Sequence, residues 1–180
     1  MVRFTTPLVI ISLVAGGFCT TIKRTASQIL QDITTLNSKA LQMGASIDAF
    51  VTPSIPKALA VHAANGQLNE YLGQAIAHAQ GTSELTLLEA RDVVNLYGVL
   101  SNNTVVILTS LRTKVALVHQ LALNGAVALV HGDVVASDKA LGKYADVMKP
   151  IILDESLVNT LVSLATNNAV EFAKTATLFT

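Results

Sequence analysis

The chain has 180 residues, twelve acids balanced by twelve bases, and a composition that is 51% hydrophobic but only 4% aromatic. That length can bury one full core in a single domain. The sparse, even charge excludes the basic stripe of a nucleic-acid binder. The apolar content, mostly Ala, Val and Leu with no Trp, favours helices carrying small and medium knobs.

Residues 1–19 read as a secretory signal peptide, leaving a mature domain over 20–180. Arg3 supplies the positive start, and "PLVIISLVAGGF" is an apolar run too short for a comfortable membrane span. Cleavage after Gly17 and after Cys19 both satisfy the small-residue rule, and a retained anchor is the alternative. Cys19 is the only cysteine. The mature domain therefore has no disulfide and must be held by its core, which suits long helices. Lys23-Arg24 reads equally as a processing site or as a solvated first turn.

The first helix follows. Ala26, Ile29, Ile33, Leu36, Ala40, Met43, Ile47 and Phe50 step by three and four without a fault. Such spacing keeps one side of an α-helix apolar, and that side must be buried. Pro53 and Pro56 end this helix and allow another, with Thr52 or Ser54 as its cap. The second edge runs Ala58, Val61, Asn65, Leu68, Leu72, Ala75, Ala79. Gly81 is its natural stop, and Thr82 or Ser83 a natural restart.

The third segment runs from about Glu84 to Gln120, along Val93, Leu96, Leu100, Thr104, Ile107, Leu111, Val115 and Val118. "SNNT" at Ser101–Thr104 predicts a kink or short break, because Ser and Asn compete for backbone hydrogen bonds. Asn124-Gly125 marks the next turn. The fourth helix carries Val127, Val130, Val134, Ser137, Leu141, Tyr144 and Met148, and ends at Pro150. Asp154 caps the last helix, whose edge is Val158, Leu161, Ala165, Asn168, Phe172 and Thr175. The expected fold is all-α, an antiparallel bundle of about five long amphipathic helices.

Two alternatives compete with that reading. "VALVHGDVVA" and "TVVILTSL" are rich in β-branched residues, but the three/four period runs through both and favours helix. Val93–Leu111 and Val115–Gly132 carry no full charge and are long enough to span a bilayer. Their Asn, Ser, His and Gln residues argue against it, so no span is expected in the mature form.

Catalytic signals are absent. His62, His78, His119 and His131 lack the i, i+4 spacing of a helical zinc site, and no HExxH, CxxC or GxSxG occurs. Glu89 and Asp92 share a helix face, which reads as solvated surface. There is no phosphate loop. The chain is read as a non-enzyme that needs no metal or cofactor. Asn102-Asn103-Thr104 is a sequon, making Asn102 a glycosylation candidate.

The stretches "TIKRTASQILQDITTLNSKALQMGASIDAF" and "LTSLRTKVALV", with the later "GKYADVMKPI…SLVNTLVSLATNNAVEFA", resemble the fungal hydrophobic surface-binding protein A family, which includes cell-wall galactomannoproteins. The similarity covers about 20–180. It implies a secreted or wall-associated helical bundle that binds fatty acids or hydrophobic surfaces. The chain closes on "AKTATLFT" without a Ser/Thr stalk or lipid-anchor signal, so a freely secreted form is expected.

Two mechanisms follow from that resemblance. In the first, the bundle holds a lipid in a slot between helices. The candidate lining is Leu36, Met43, Ile47, Leu72, Ile107, Leu111, Val134, Met148 and Leu161. In the second, the bundle opens and spreads its apolar edges on a solid surface as an adhesin or recruiter.

Overall fold

The computed structural model describes residues 25–180. The expected signal peptide at 1–19, its cleavage points, Cys19 and the Lys23-Arg24 pair lie outside the described residues.

Five long helices and one short one follow in order. They are α1 (Ala26–Ala49), α2 (Ile55–Gln80), α3 (Leu87–Arg112), α4 (Val115–His119), α5 (Ala126–Met148) and α6 (Glu155–Ala176). No strand occurs among the described residues, so both β-branched stretches are helical. The whole α1 ladder, Ala26 to Phe50, is buried. Ser54 stands at the N-cap of α2, with Pro56 in its first turn. Asp154 caps α6 as expected, its carboxylate accepting from the Leu157 N–H at 2.9 Å. Gly125 opens α5 at φ +83°, a conformation that costs glycine little.

The helices close into a ring. Each long helix packs chiefly on two others, in the cyclic order α1, α3, α6, α5, α2 and back to α1. Consecutive long helices alternate in direction, but ring neighbours need not. Asn103 donates to Asn37 at 3.0 Å and Ser110 to Asp48 at 2.6 Å, so α1 and α3 are parallel. Ser101 donates to Asn168 at 2.9 Å, and Arg112 lies 2.8 Å from Glu171, so α3 and α6 are parallel too. Pairs at His62–Asp133 and Asn65–Ser137 give α2 and α5 the same relation. At Gly44, an added Cβ would meet Ile107 Cγ1 at 3.2 Å, which shows how closely α1 and α3 approach.

Two expectations are corrected. The break in the third segment falls at Thr113-Lys114, between α3 and α4, and α3 runs unbroken through Ser101–Thr104. The reason lies in the partners. Ser101 and Asn103 bond to side chains on α6 and α1 instead of competing for the α3 backbone. The restart before α3 is Thr86, and neither Thr82 nor Ser83. Thr86 forms a capping box with Glu89, which gives Glu89 a structural task.

α3 is one helix long and apolar enough to cross a membrane by composition. Here its Val93, Val94, Leu100, Leu108 and Leu111 are buried within the ring. Val115–Gly132 is not one helix, because the chain turns between His119 and Ala126.

Candidate functional site

A five-sided ring has an axis, and the ladders face it. Two small spaces lie along that axis, one of about 50 Å³ and one of about 30 Å³. Met43, Leu108, Ser137 and Phe172 border both, so the two spaces form one interrupted seam. The larger lies toward the C-terminal ends of α1, α3 and α6, here called the mouth. The smaller lies deeper, among Leu36, Ala40, Leu68, Leu72, Leu100 and Leu141. From Phe50 to Leu36 the seam follows α1 for about 21 Å at 1.5 Å per residue. One acyl chain fills one leaflet of a bilayer, about 15 Å. The seam is therefore long enough for an extended acyl chain, but its present voids are not wide enough. A benzene-sized guest already needs a cavity of about 150 Å³.

The mouth is crossed by residues 113–125, which include α4. The ring order makes this necessary, since α3 and α5 are not neighbours. Val118, Leu121 and Leu123 of this strap line the larger space. Among the described residues, every hydrogen bond found for the strap is local, such as Leu121 N–H to Val118 O at 3.1 Å. Apolar contact alone holds it down.

Few polar groups touch the seam. His62 donates from Nδ1 to Asp133 at 2.8 Å, joining α2 to α5 beside the mouth. Ser137 is buried and its hydroxyl faces two acceptors, Asn65 Oδ1 at 2.8 Å and Asn69 Oδ1 at 3.1 Å.

The opposite end, here called the floor, is polar inside. Asp32 is wholly buried. It accepts from Gln28 Nε2 at 3.0 Å, Tyr71 OH at 3.2 Å and His78 Nδ1 at 2.9 Å. Tyr97 and Tyr144 sit nearby with ring centroids 6.5 Å apart. Burial pushes both phenols well above their ordinary pKa, and the Asp32 charge adds to this at Tyr144. Neither hydroxyl has a hydrogen-bond partner among the described residues. These neutral rings, with Leu85, Ile151 and Ile152, close the axis.

The sequence-derived candidates fall into two sets. Met43 borders both spaces; Ile47, Leu111 and Val134 line the larger; Leu36, Leu72 and Ile107 line the smaller. Met148 and Leu161 line neither and are wholly buried elsewhere in the core. The ladder alone could not separate them, because one helix edge serves both seam and floor. The strap residues Val118, Leu121 and Leu123 are lining that the sequence did not single out, because Val118 falls on the expected edge of the third segment and Leu121 and Leu123 fall in the turn that follows it. Phe172 and Leu108 were also missed as lining, although Phe172 sits on the predicted edge of α6. Asn102 is exposed on α3 and outside any break. Among the described residues, no group of three or more His, Cys, Asp or Glu could hold a metal ion.

No curated protein matches the chain by sequence. Several solved structures share its fold. One is AfMP4p in complex with palmitic acid, at TM-score 0.81 and 24% identity, covering 87% of this chain and 100% of that one. The others are ligand-binding domains of the Penicillium marneffei MP1 protein. Domain 1, complexed with arachidonic acids, has TM-score 0.74 and 14% identity, covering 86% of this chain and 95% of that one. Domain 2, complexed with multiple arachidonic acids, has TM-score 0.73 and 19% identity, covering 88% and 97%. The family model for hydrophobic surface binding protein A matches residues 26–146. A five-helix ring with an apolar axis, together with that match over most of the described residues, assigns the chain: it belongs to the hydrophobic surface binding protein A family.

Proposed function

We propose that this protein is a secreted, non-enzymatic carrier that holds a fatty acid along the axis of its helix ring. The carrying observation is the seam itself, mainly apolar with a few polar groups from α2, α3 and α5, roofed by an unpinned strap and floored by buried tyrosines. The same fold with palmitic or arachidonic acid bound in similar proteins supports the reading.

The energetics are adequate. Burying each CH₂ is worth about 0.8 kcal/mol, so a palmitate-length chain offers on the order of 10 kcal/mol. Widening the ring and ordering the ligand subtract from that sum. Micromolar affinity needs only about 8 kcal/mol. The lining candidates Leu36, Met43, Ile47, Leu72, Ile107, Leu111 and Val134 would contact the chain, and Met148 and Leu161 would act as core. Asn102, exposed on α3, would carry the glycan in a secretory pathway.

The test is solvent extraction and mass spectrometry of the purified protein, followed by titration with palmitate. One bound fatty acid is expected. Val134→Phe, which intrudes on the larger space, is expected to weaken uptake by roughly tenfold or more at a stability cost of about 1–3 kcal/mol. No co-purifying lipid together with no uptake would end this reading.

A surface-coating role is the second reading, favoured by the family match and by exposed Val51, Ile55 and Leu59 near the mouth. It predicts depletion of the protein onto hydrophobic beads with helicity retained.

A further inference from the structure

The seam has one mouth, and what surrounds it carries a second message. Leu59 and Leu129 line the larger space and are also partly exposed, at 47% and 36%. Val51 lies on the connection into α2 and Ile55 opens α2 one turn before Leu59; both are exposed and outside the cavity lining. The apolar surface is thus continuous from solvent to the seam.

Exposed leucines alone do not single out this end. Leu87, Leu88 and Leu153 are exposed near the floor. Charge separates the two ends. The mouth half, residues 40–67, 100–137 and 166–180, holds four bases and three acids. The floor half, residues 25–39, 68–99 and 138–165, holds five bases and nine acids. A ring with three helix C-termini and two N-termini at the mouth places about half a negative charge there. Set against the single excess base there, that leaves the mouth close to neutral, while the floor stays acidic. Helices of 24 to 26 residues separate the ends by more than 30 Å. Screening over about 8–10 Å hides the floor acids from anything docked at the mouth.

We propose that the mouth end docks on an anionic lipid bilayer and exchanges its acyl guest across that contact. This rests on the seam holding a fatty acid. Exposed Lys57, whose ammonium donates to the Ala49 carbonyl at 2.9 Å and has donors to spare, and half-buried Lys114 would meet the anionic headgroups while Val51 and Ile55 enter the interface. The strap, held only by apolar contact, can exchange its partners in the seam for lipid without losing a hydrogen bond to another element. The guest then never crosses water, which is the slow step for a long acyl chain.

The experiment follows a fluorescent palmitate analogue from protein to vesicles of phosphatidylcholine with phosphatidylglycerol, alongside flotation of ligand-free protein with the same vesicles. Transfer is expected to accelerate in proportion to vesicle concentration. Omitting phosphatidylglycerol, or the pair Lys57→Glu and Lys114→Glu, should slow it by roughly fivefold or more. Val51→Ser with Ile55→Ser should slow transfer similarly at unchanged equilibrium affinity, whereas Leu88→Ser with Leu153→Ser should not. A rate independent of vesicle concentration, or equal slowing by the floor pair, overturns the proposal. Flotation without any fatty-acid uptake would instead overturn the carrier reading.

Discussion

Two connections cross the ends of the ring, and they are built differently. At the floor, residues 81–86 pass from α2 to α3 and are pinned there. The Leu85 N–H donates to Ile151 O at 2.8 Å, and Leu85, Ile151 and Ile152 are buried together. Beneath them, Asp32 gathers three donors from α1 and α2. At the mouth, residues 113–125 pass from α3 to α5 over unfilled space, and their hydrogen bonds stay local. Directional bonds fix geometry, whereas apolar contacts exchange partners readily. One end of the molecule is therefore specified, and the other is left able to move.

The sharpest way to break this contrast is at Asp32. Asp32→Ala leaves Gln28, Tyr71 and His78 without their acceptor in a buried site, and about 3 kcal/mol of stability should be lost. Urea denaturation checks this, and a loss under about 1 kcal/mol would show that the floor is not a staple. Next come two leucines of similar burial. Leu161, wholly buried away from the seam, should cost about 3 kcal/mol as Leu161→Ala, and Leu111, beside the larger space, about 2 kcal/mol as Leu111→Ala. Equal costs would mean that the mouth is packed as firmly as the rest.

The smallest effect concerns pH. Hydrogen bonds from Lys174 and then Arg112 hold Glu171, near the mouth, below its ordinary pKa of 4.5. A depressed carboxylate contributes stability above that ordinary value and loses it as pH falls through the lower folded one. Glu171→Gln should therefore flatten the acid limb of stability against pH, by a small amount because the pair is near solvent. An unchanged limb would show that this pair adds nothing at the mouth.

The fold was legible because each ladder is a local, repeated pattern. Ala26 to Phe50 declares its buried edge without reference to any other helix. The ring order was not legible, since it depends on which edges meet. The pairing of Asn103 with Asn37 joins residues 66 positions apart. That same pairing explains the misplaced break, because Asn103 weakens a helix only when it has no partner elsewhere. Of the candidate site, seven of the nine expected positions border the two spaces, and the ladder carries no information on depth along the axis. Met148 and Leu161 carry the same pattern as Val134 and Leu111 and yet lie outside the seam. The strap escaped notice because an apolar run of five to ten residues looks alike as wall or as roof.

The closed ring also sets the order of traffic. No stave can be withdrawn sideways without parting from two neighbours at once, and the far end is stoppered by tyrosines. On the proposed carrier reading, a slender guest admitted as the two voids widen into one slot would leave by the route it arrived and could not be turned round inside. Whichever tip went in first would come out last, so the polarity of a passenger would be conserved from pick-up to release.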